Sequence, residues 1–238
     1  SADAPENTLP AFQLAWEQGA DAIEGDFHLT KDGHIVCHHD RDTKKRANRK
    51  LTIAKSTLAE LRALDVGSWK AEEWRGTSMP TLTEVLDTIP DGREFFLEVK
   101  CGPEIVPPLL KILDGHPIPE EQVTIISFNA EVIAETKRAR PKLRANWLCS
   151  LKEKLGRTTP SLTRIEQTLA DCRADGFSSN SFPGIDAQFV ARIHDLGYSY
   201  HVWTIDDAPT ARRFLELGSA TITTNRPGAL RVELRERG

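Results

Sequence analysis

Cysteine is scarce in this chain and is not arranged for chemistry. The four thiols, Cys37, Cys101, Cys149 and Cys172, lie far apart with no C-x-x-C spacing. That excludes a zinc ribbon and a disulfide framework and leaves buried, reduced thiols as the expectation. No apolar run approaches the roughly 20 residues that a membrane-spanning helix needs. No secretory leader is visible, and the compartment stays open. Net charge is only −4, with a pI near 6.0, so there is no general attraction to nucleic acid. A Gly-rich phosphate loop is missing too, which argues against an open dinucleotide-binding sheet.

What the chain does have is alternation. A helix is expected over residues 8–19, with Asn7 or Thr8 as N-cap and Pro10 in the first turn. A strand over 22–29, a turn at Lys31-Asp32-Gly33 and a short strand over 34–38 follow. Residues 41–80 break the rhythm with a basic run (Arg41, Lys44, Lys45, Arg46, Arg49, Lys50), a short helix at 57–64 and a loop holding Trp69 and Trp74. They read as an insertion. A helix near 81–88 leads to a strand at 94–100. Strands at 123–128, 143–149, 176–179, 198–204 and 220–223 then alternate with helices at 104–114, 129–139, 160–174, 186–196, 207–217 and 227–235. Such alternation implies a parallel sheet. At 238 residues the chain fits one α/β domain, a (β/α)8 TIM barrel whose first strand is absent from the sequence.

Two segments carry charge into β-prone runs: Glu24-Gly25-Asp26 and Glu98-Val99-Lys100. Residues i and i+2 of a strand share a face, so Glu24 projects with Asp26 and Glu98 with Lys100. If the two strands share a sheet, three carboxylates and one ammonium converge. Like charges at about 4 Å repel by roughly 4 kcal/mol at an effective dielectric of 20, so such a cluster calls for a cation. An all-oxygen ligand set suits Mg²⁺ or Ca²⁺ better than zinc. The alternative is a set of solvated carboxylates paired with nearby Lys or Arg. In a barrel, functional groups gather at the C-terminal ends of strands, where Glu24, Asp26, Glu98, Lys100, Phe128 and Trp203 are expected. His39, following the short strand, is the candidate proton carrier, with His38 facing the other way. The basic run at 41–50 is either a solvated loop or a surface that attracts an anionic phosphodiester or membrane.

The stretches Ala4-Pro5-Glu6-Asn7-Thr8-Leu9, Gly19-Ala20-Asp21-x-Ile23-Glu24-x-Asp26, Thr30-Lys31-Asp32-Gly33, His39-Asp40, Pro80-Thr81-Leu82, Glu98-Val99-Lys100 and Val202-Trp203-Thr204 occur in order. Together they resemble the glycerophosphodiester phosphodiesterase family. The resemblance implies a TIM barrel with a small insertion after the second strand. It also implies metal-dependent hydrolysis of glycerophosphodiesters to glycerol 3-phosphate and an alcohol. Residue by residue, Glu24, Asp26 and Glu98 match the family's metal ligands and His39 one of two catalytic histidines. Lys100 matches a phosphate-contacting lysine, and Phe128 and Trp203 match aromatic positions of the substrate pocket. The family opens with a strand ending in His-Arg-Gly, and this chain starts after it. Its second histidine and an arginine are therefore expected in residues preceding Ser1. The Arg-Thr-Thr expected soon after His39-Asp40 is replaced by the Lys/Arg-rich stretch. A barrel that binds phosphate-bearing ligands without hydrolysing them is the alternative. The headgroup, the choice of metal and the oligomeric state are not written in the sequence.

Overall fold

The computed structural model describes residues 1–235, and the chain divides into two compact units, one running from Ser1 to Thr124 and one from Ile125 onward. The first contains α1 (Leu9–Glu17), β1 (Ala22–Leu29), β2 (Ile35–Cys37), α2 (Leu58–Arg62), α3 (Leu82–Leu86), β3 (Glu94–Val99) and α4 (Val106–Gly115). Strand β4 (Val123–Ser127) crosses the boundary, and the second unit continues with α5 (Ala130–Ala139), β5 (Arg144–Cys149), β6 (Lys152–Lys154) and β7 (Arg157–Thr159). It goes on through α6 (Leu162–Cys172), β8 (Gly176–Asn180), α7 (Ala187–Asp195), β9 (Ser199–Trp203), α8 (Ala208–Glu216), β10 (Thr221–Ile222) and α9 (Pro227–Arg235).

In the first unit, β1 is the central strand. It pairs in parallel with β3 from Ala22↔Glu94 to Phe27↔Val99, and antiparallel with β2 from Phe27↔Cys37 to Leu29↔Ile35. The turn joining β1 to β2 is fixed by the Thr30 hydroxyl, which donates to Asp32 Oδ1 (2.7 Å) and accepts from the His34 N–H (2.9 Å). Alternation gives β1 two unlike faces. Ile23, Gly25 and Phe27 point one way, and Glu24, Asp26 and His28 the other. Gly25 is favoured by close approach: a Cβ there would meet the Phe12 ring at 3.1 Å and the Cys37 sulfur at 3.2 Å, and these side chains would have to give way. So the residue between the two carboxylates is kept small because α1 and β2 press on that face.

Segment 41–80 closes its own small core, in which Ile53, Leu61, Leu64, Val66 and Met79 pack with Val36. Its helix α2 and the following α3 each begin with a reciprocal capping box, Thr57 with Glu60 and Thr81 with Glu84. Thr8, not Asn7, caps α1.

In the second unit β5, β8, β9 and β10 pair in parallel in that order, and β4 lies beside β5. Phe177, Phe189, Tyr200 and Trp147 form an aromatic cluster with ring centroids 5.9–6.4 Å apart. Expected and observed elements agree within a few residues, with one exception. The hairpin β6–β7 is unanticipated, because its strands are three residues each and carry Lys152, Lys154 and Arg157 with no apolar alternation. Leu155 and Gly156 make its turn at φ 52° and 69°. The four cysteines are free thiols, three buried and Cys101 half-buried.

Candidate active site

The register of β1 on β3 sets Asp26 directly opposite Glu98. Glu24, two residues back on the same face of β1, joins them, and one carboxylate oxygen from each lies within 4.8 Å of the others. Glu24 does not sit at a strand end as expected. It is the third of the eight residues of β1 and Asp26 the fifth, and β1 runs on past its parallel partner to pair with β2. Lys100, just past β3, reaches back with Nζ 2.7 Å from Glu98 Oε1 and 3.2 Å from Asp26 Oδ1.

The electrostatics follow from burial. Asp26 and Glu98 are buried, and Glu24 is half-buried with Oε1 wholly out of solvent. Burial, then repulsion from Asp26 and Glu98, raises the pKa of Glu24 well above the usual carboxylate value. Glu98 is raised by burial and by Asp26, with Lys100 and His39 opposing. Burial works against the Lys100 ammonium, but the Asp26 and Glu98 carboxylates outweigh it and its pKa rises. One ammonium faces three carboxylates, and Glu24 Oε1 is left with no hydrogen-bond partner. A buried, unpaired carboxylate oxygen is costly unless a cation or donor meets it. The residues fit a hard divalent cation: the donors are all carboxylate oxygens, and one of them lacks any protein partner.

The histidines divide as the strand alternation requires. His38 is buried, with Nε2 3.3 Å from the Asp42 carbonyl, while the His39 side chain is 55% exposed. His39 Nδ1 lies 3.1 Å from Asp40 Oδ1, and Lys45 Nζ holds the other Asp40 oxygen at 3.0 Å. His28 shares the carboxylate face of β1 and was not singled out by sequence. It is buried, its pKa drops to about 4 mainly through that burial, and Nε2 sits 3.4 Å from the His39 carbonyl. Its position two residues beyond Asp26 was the signal available.

The basic run is partly structural. Lys45 pairs with Asp40, Lys50 with Asp42, and Arg46 both pairs with Glu6 and lies 4.0 Å over the Trp69 ring. Arg41, Lys44 and Arg49 are exposed. In the second unit, Phe128 follows β4 and Trp203 ends β9. Their rings meet edge to face at 5.6 Å, Phe128 is 44% exposed, and the Trp203 Nε1–H is buried with no hydrogen-bond partner.

Residues 1–229 match the glycerophosphoryl diester phosphodiesterase family. A glycerophosphodiester phosphodiesterase of Caldanaerobacter subterraneus subsp. tengcongensis is 32% identical over 97% of this chain and 92% of its own. One from Bacillus subtilis is 27% identical over 94% of this chain and 80% of its own. Among solved structures, an Oleispira antarctica phosphodiesterase in complex with the product sn-glycerol-3-phosphate superimposes with a TM-score of 0.86 at 28% identity, covering 98% of this chain and 92% of that one. The chain belongs to the glycerophosphoryl diester phosphodiesterase family and is an enzyme of that class. No helix among the described residues is long and apolar enough to cross a membrane.

Proposed function

We propose that this chain hydrolyses glycerophosphodiesters to glycerol 3-phosphate and an alcohol at a divalent-cation centre held by Glu24, Asp26 and Glu98. The observation that carries the reading is the unpartnered, buried Glu24 Oε1 in a cluster of three carboxylates within 4.8 Å. Mg²⁺ or Ca²⁺ fits this oxygen-only set, and such a cation supplies charge neutralisation to the phosphate and its in-line transition state. The Lys100 ammonium, held by Asp26 and Glu98, is aimed by them at a phosphate oxygen. Asp40 accepts from His39 Nδ1, which leaves Nε2 to take or give the proton of the attacking or leaving oxygen. Phe128 and Trp203 are proposed as aromatic contacts of the substrate. A solved relative bound to sn-glycerol-3-phosphate supports glycerol 3-phosphate as product. The family match over residues 1–229 supports reading these residues as one α/β domain of this class.

The test is release of glycerol 3-phosphate from glycerophosphocholine or glycerophosphoethanolamine by the full-length protein. Chelation should abolish turnover, and Mg²⁺ or Ca²⁺ should restore it. Turnover indifferent to chelator would remove the metal from the reading, and no turnover of any such diester would defeat it altogether.

A further inference from the structure

Asn7 lies in the loop before α1, where the neighbouring Thr8 has taken the capping role and left the Asn7 side chain to do something else. Its amide is spent on one residue of the carboxylate cluster. Nδ2 donates to Asp26 Oδ2 at 2.8 Å, and Oδ1 accepts the backbone N–H of Asp26 at 2.9 Å and the Cys37 thiol at 3.0 Å. The orientation of this amide is forced. A backbone N–H can only donate, so Oδ1 must face it, and Nδ2 is then the atom turned to the carboxylate.

The loop that carries Asn7 is itself pinned. The Thr8 hydroxyl donates to the Pro5 carbonyl (2.6 Å), and Arg46 grips both carboxylate oxygens of Glu6 at 3.0 and 3.3 Å. Asn7 adopts φ 59°, the left-handed region that Asn tolerates better than most side chains. An aspartate there would set a fourth carboxylate against Asp26.

We propose that Asn7 is a positioning residue of this centre: its amide fixes the rotation of the Asp26 carboxylate, so that the oxygen not held by Asn7 is presented to the cation. This rests on the reading of Glu24, Asp26 and Glu98 as a cation site. Only Asp26 in the cluster is held at both its backbone N–H and a carboxylate oxygen by one side chain, in the hydrogen bonds above. Without Asn7, the carboxylate is free to turn both oxygens toward the Lys100 ammonium, which already lies 3.2 Å from Oδ1. Partners that orient metal ligands in this way typically govern 10–100-fold in metal affinity.

Asn7→Gly is the informative variant, because glycine keeps the left-handed backbone and deletes only the amide. Binding of Mg²⁺ and of Ca²⁺ alone is measured by calorimetry for wild type, Asn7→Gly and Asp26→Asn, with the melting temperature of each in chelator. The expected result is about 10–100-fold weaker binding for Asn7→Gly. Its diester turnover should fall at limiting metal and recover as metal is raised. If wild type binds neither cation, the cation-site reading fails and takes this proposal with it. If wild type binds and Asp26→Asn does not, while Asn7→Gly stays within about twofold of wild type, Asn7 alone loses its role. A lower melting temperature with unchanged affinity would make Asn7 a staple for the loop and overturn the proposal. Asn7→Ala is the fallback if Asn7→Gly does not fold; if neither folds, the residue serves the fold and the proposal falls.

Discussion

The strand pair β1–β3 and the strand pair β8–β9 are both parallel neighbours, and each has one apolar and one polar face. They treat the polar face in opposite ways. On β8–β9 it carries no carboxylate and is closed around His201, which lies in register with Ser178 with its two ring nitrogens 2.8 Å from the hydroxyls of Thr221 and Ser199, and only at the strand end is the Trp203 Nε1–H left without a partner. On β1–β3 it is charged and left open, with Glu24, Asp26 and Glu98 clustered and one oxygen unpartnered. A satisfied buried polar group is part of the structure. One left unsatisfied inside a cluster of like charges calls for a partner from outside the chain. The apolar faces are alike: Phe27 and Phe95 meet edge to face at 5.8 Å in the first unit, and the rings of Phe177 and Tyr200 stack at 6.2 Å in the second.

This contrast can be broken at several points. The largest effect is expected at His39: His39→Ala should lower kcat by about 10²–10⁴-fold, the usual worth of a general acid or base, and leave cation affinity unchanged. Steady-state kinetics beside a metal titration check this, and a parallel loss of affinity would move His39 into the cation site. Phe177→Ala should cost about 3–5 kcal/mol in urea unfolding, as large-to-small changes in a packed core do. Metal affinity of the protein that remains folded should not move; a change there would mean that the two strand pairs do not separate structure from site.

Tyr200→Phe is a finer probe of the satisfied region. It removes the hydroxyl 2.9 Å from Ser179 Oγ and should cost about 1 kcal/mol with activity retained. The smallest effect is expected at Asp65, a carboxylate satisfied by Ser68, Gly67 and Gly76. Those hydrogen bonds, the Ser68 hydroxyl first, hold its pKa well below the usual range. A lowered folded-state pKa gives stability that is present above the unfolded value of about 3.9 and is lost as pH falls below it. Asp65→Asn should therefore lower stability modestly at neutral pH and converge with wild type in acid, flattening the acid limb of the stability profile; an unaltered acid limb would show that Asp65 is not the group titrating.

The open polar face was legible in the sequence because it depends on strand alternation alone. Glu24 with Asp26 and Glu98 with Lys100 need only the period of two, and the observed register supplied the rest by setting Asp26 opposite Glu98. The split between His38 and His39 was legible for the same reason. The Asn7 clamp was not, since it joins residues 19 apart through an irregular loop with a left-handed backbone. Sequence pattern offered Asn7 only as a cap, a role that Thr8 fills. Hairpin β6–β7 escaped because charged three-residue strands carry no hydrophobic period, and the basic run gave no hint that Arg46 would be tied to Glu6 and Trp69. Long-range pairings of polar side chains are set by how the chain is brought together, and local composition does not encode them.

The central claim is that the Glu24, Asp26 and Glu98 carboxylates are held together for a cation. Thermal melting of wild type and Glu24→Gln at neutral pH, in chelator and in saturating Mg²⁺ or Ca²⁺, tests it most directly. Neutralising one carboxylate of a repelling cluster should raise the melting temperature in chelator and shrink the gain that metal confers, so that the order of the two proteins reverses when metal is added. A variant that melts below wild type in chelator and gains as much as wild type from metal would contradict the account.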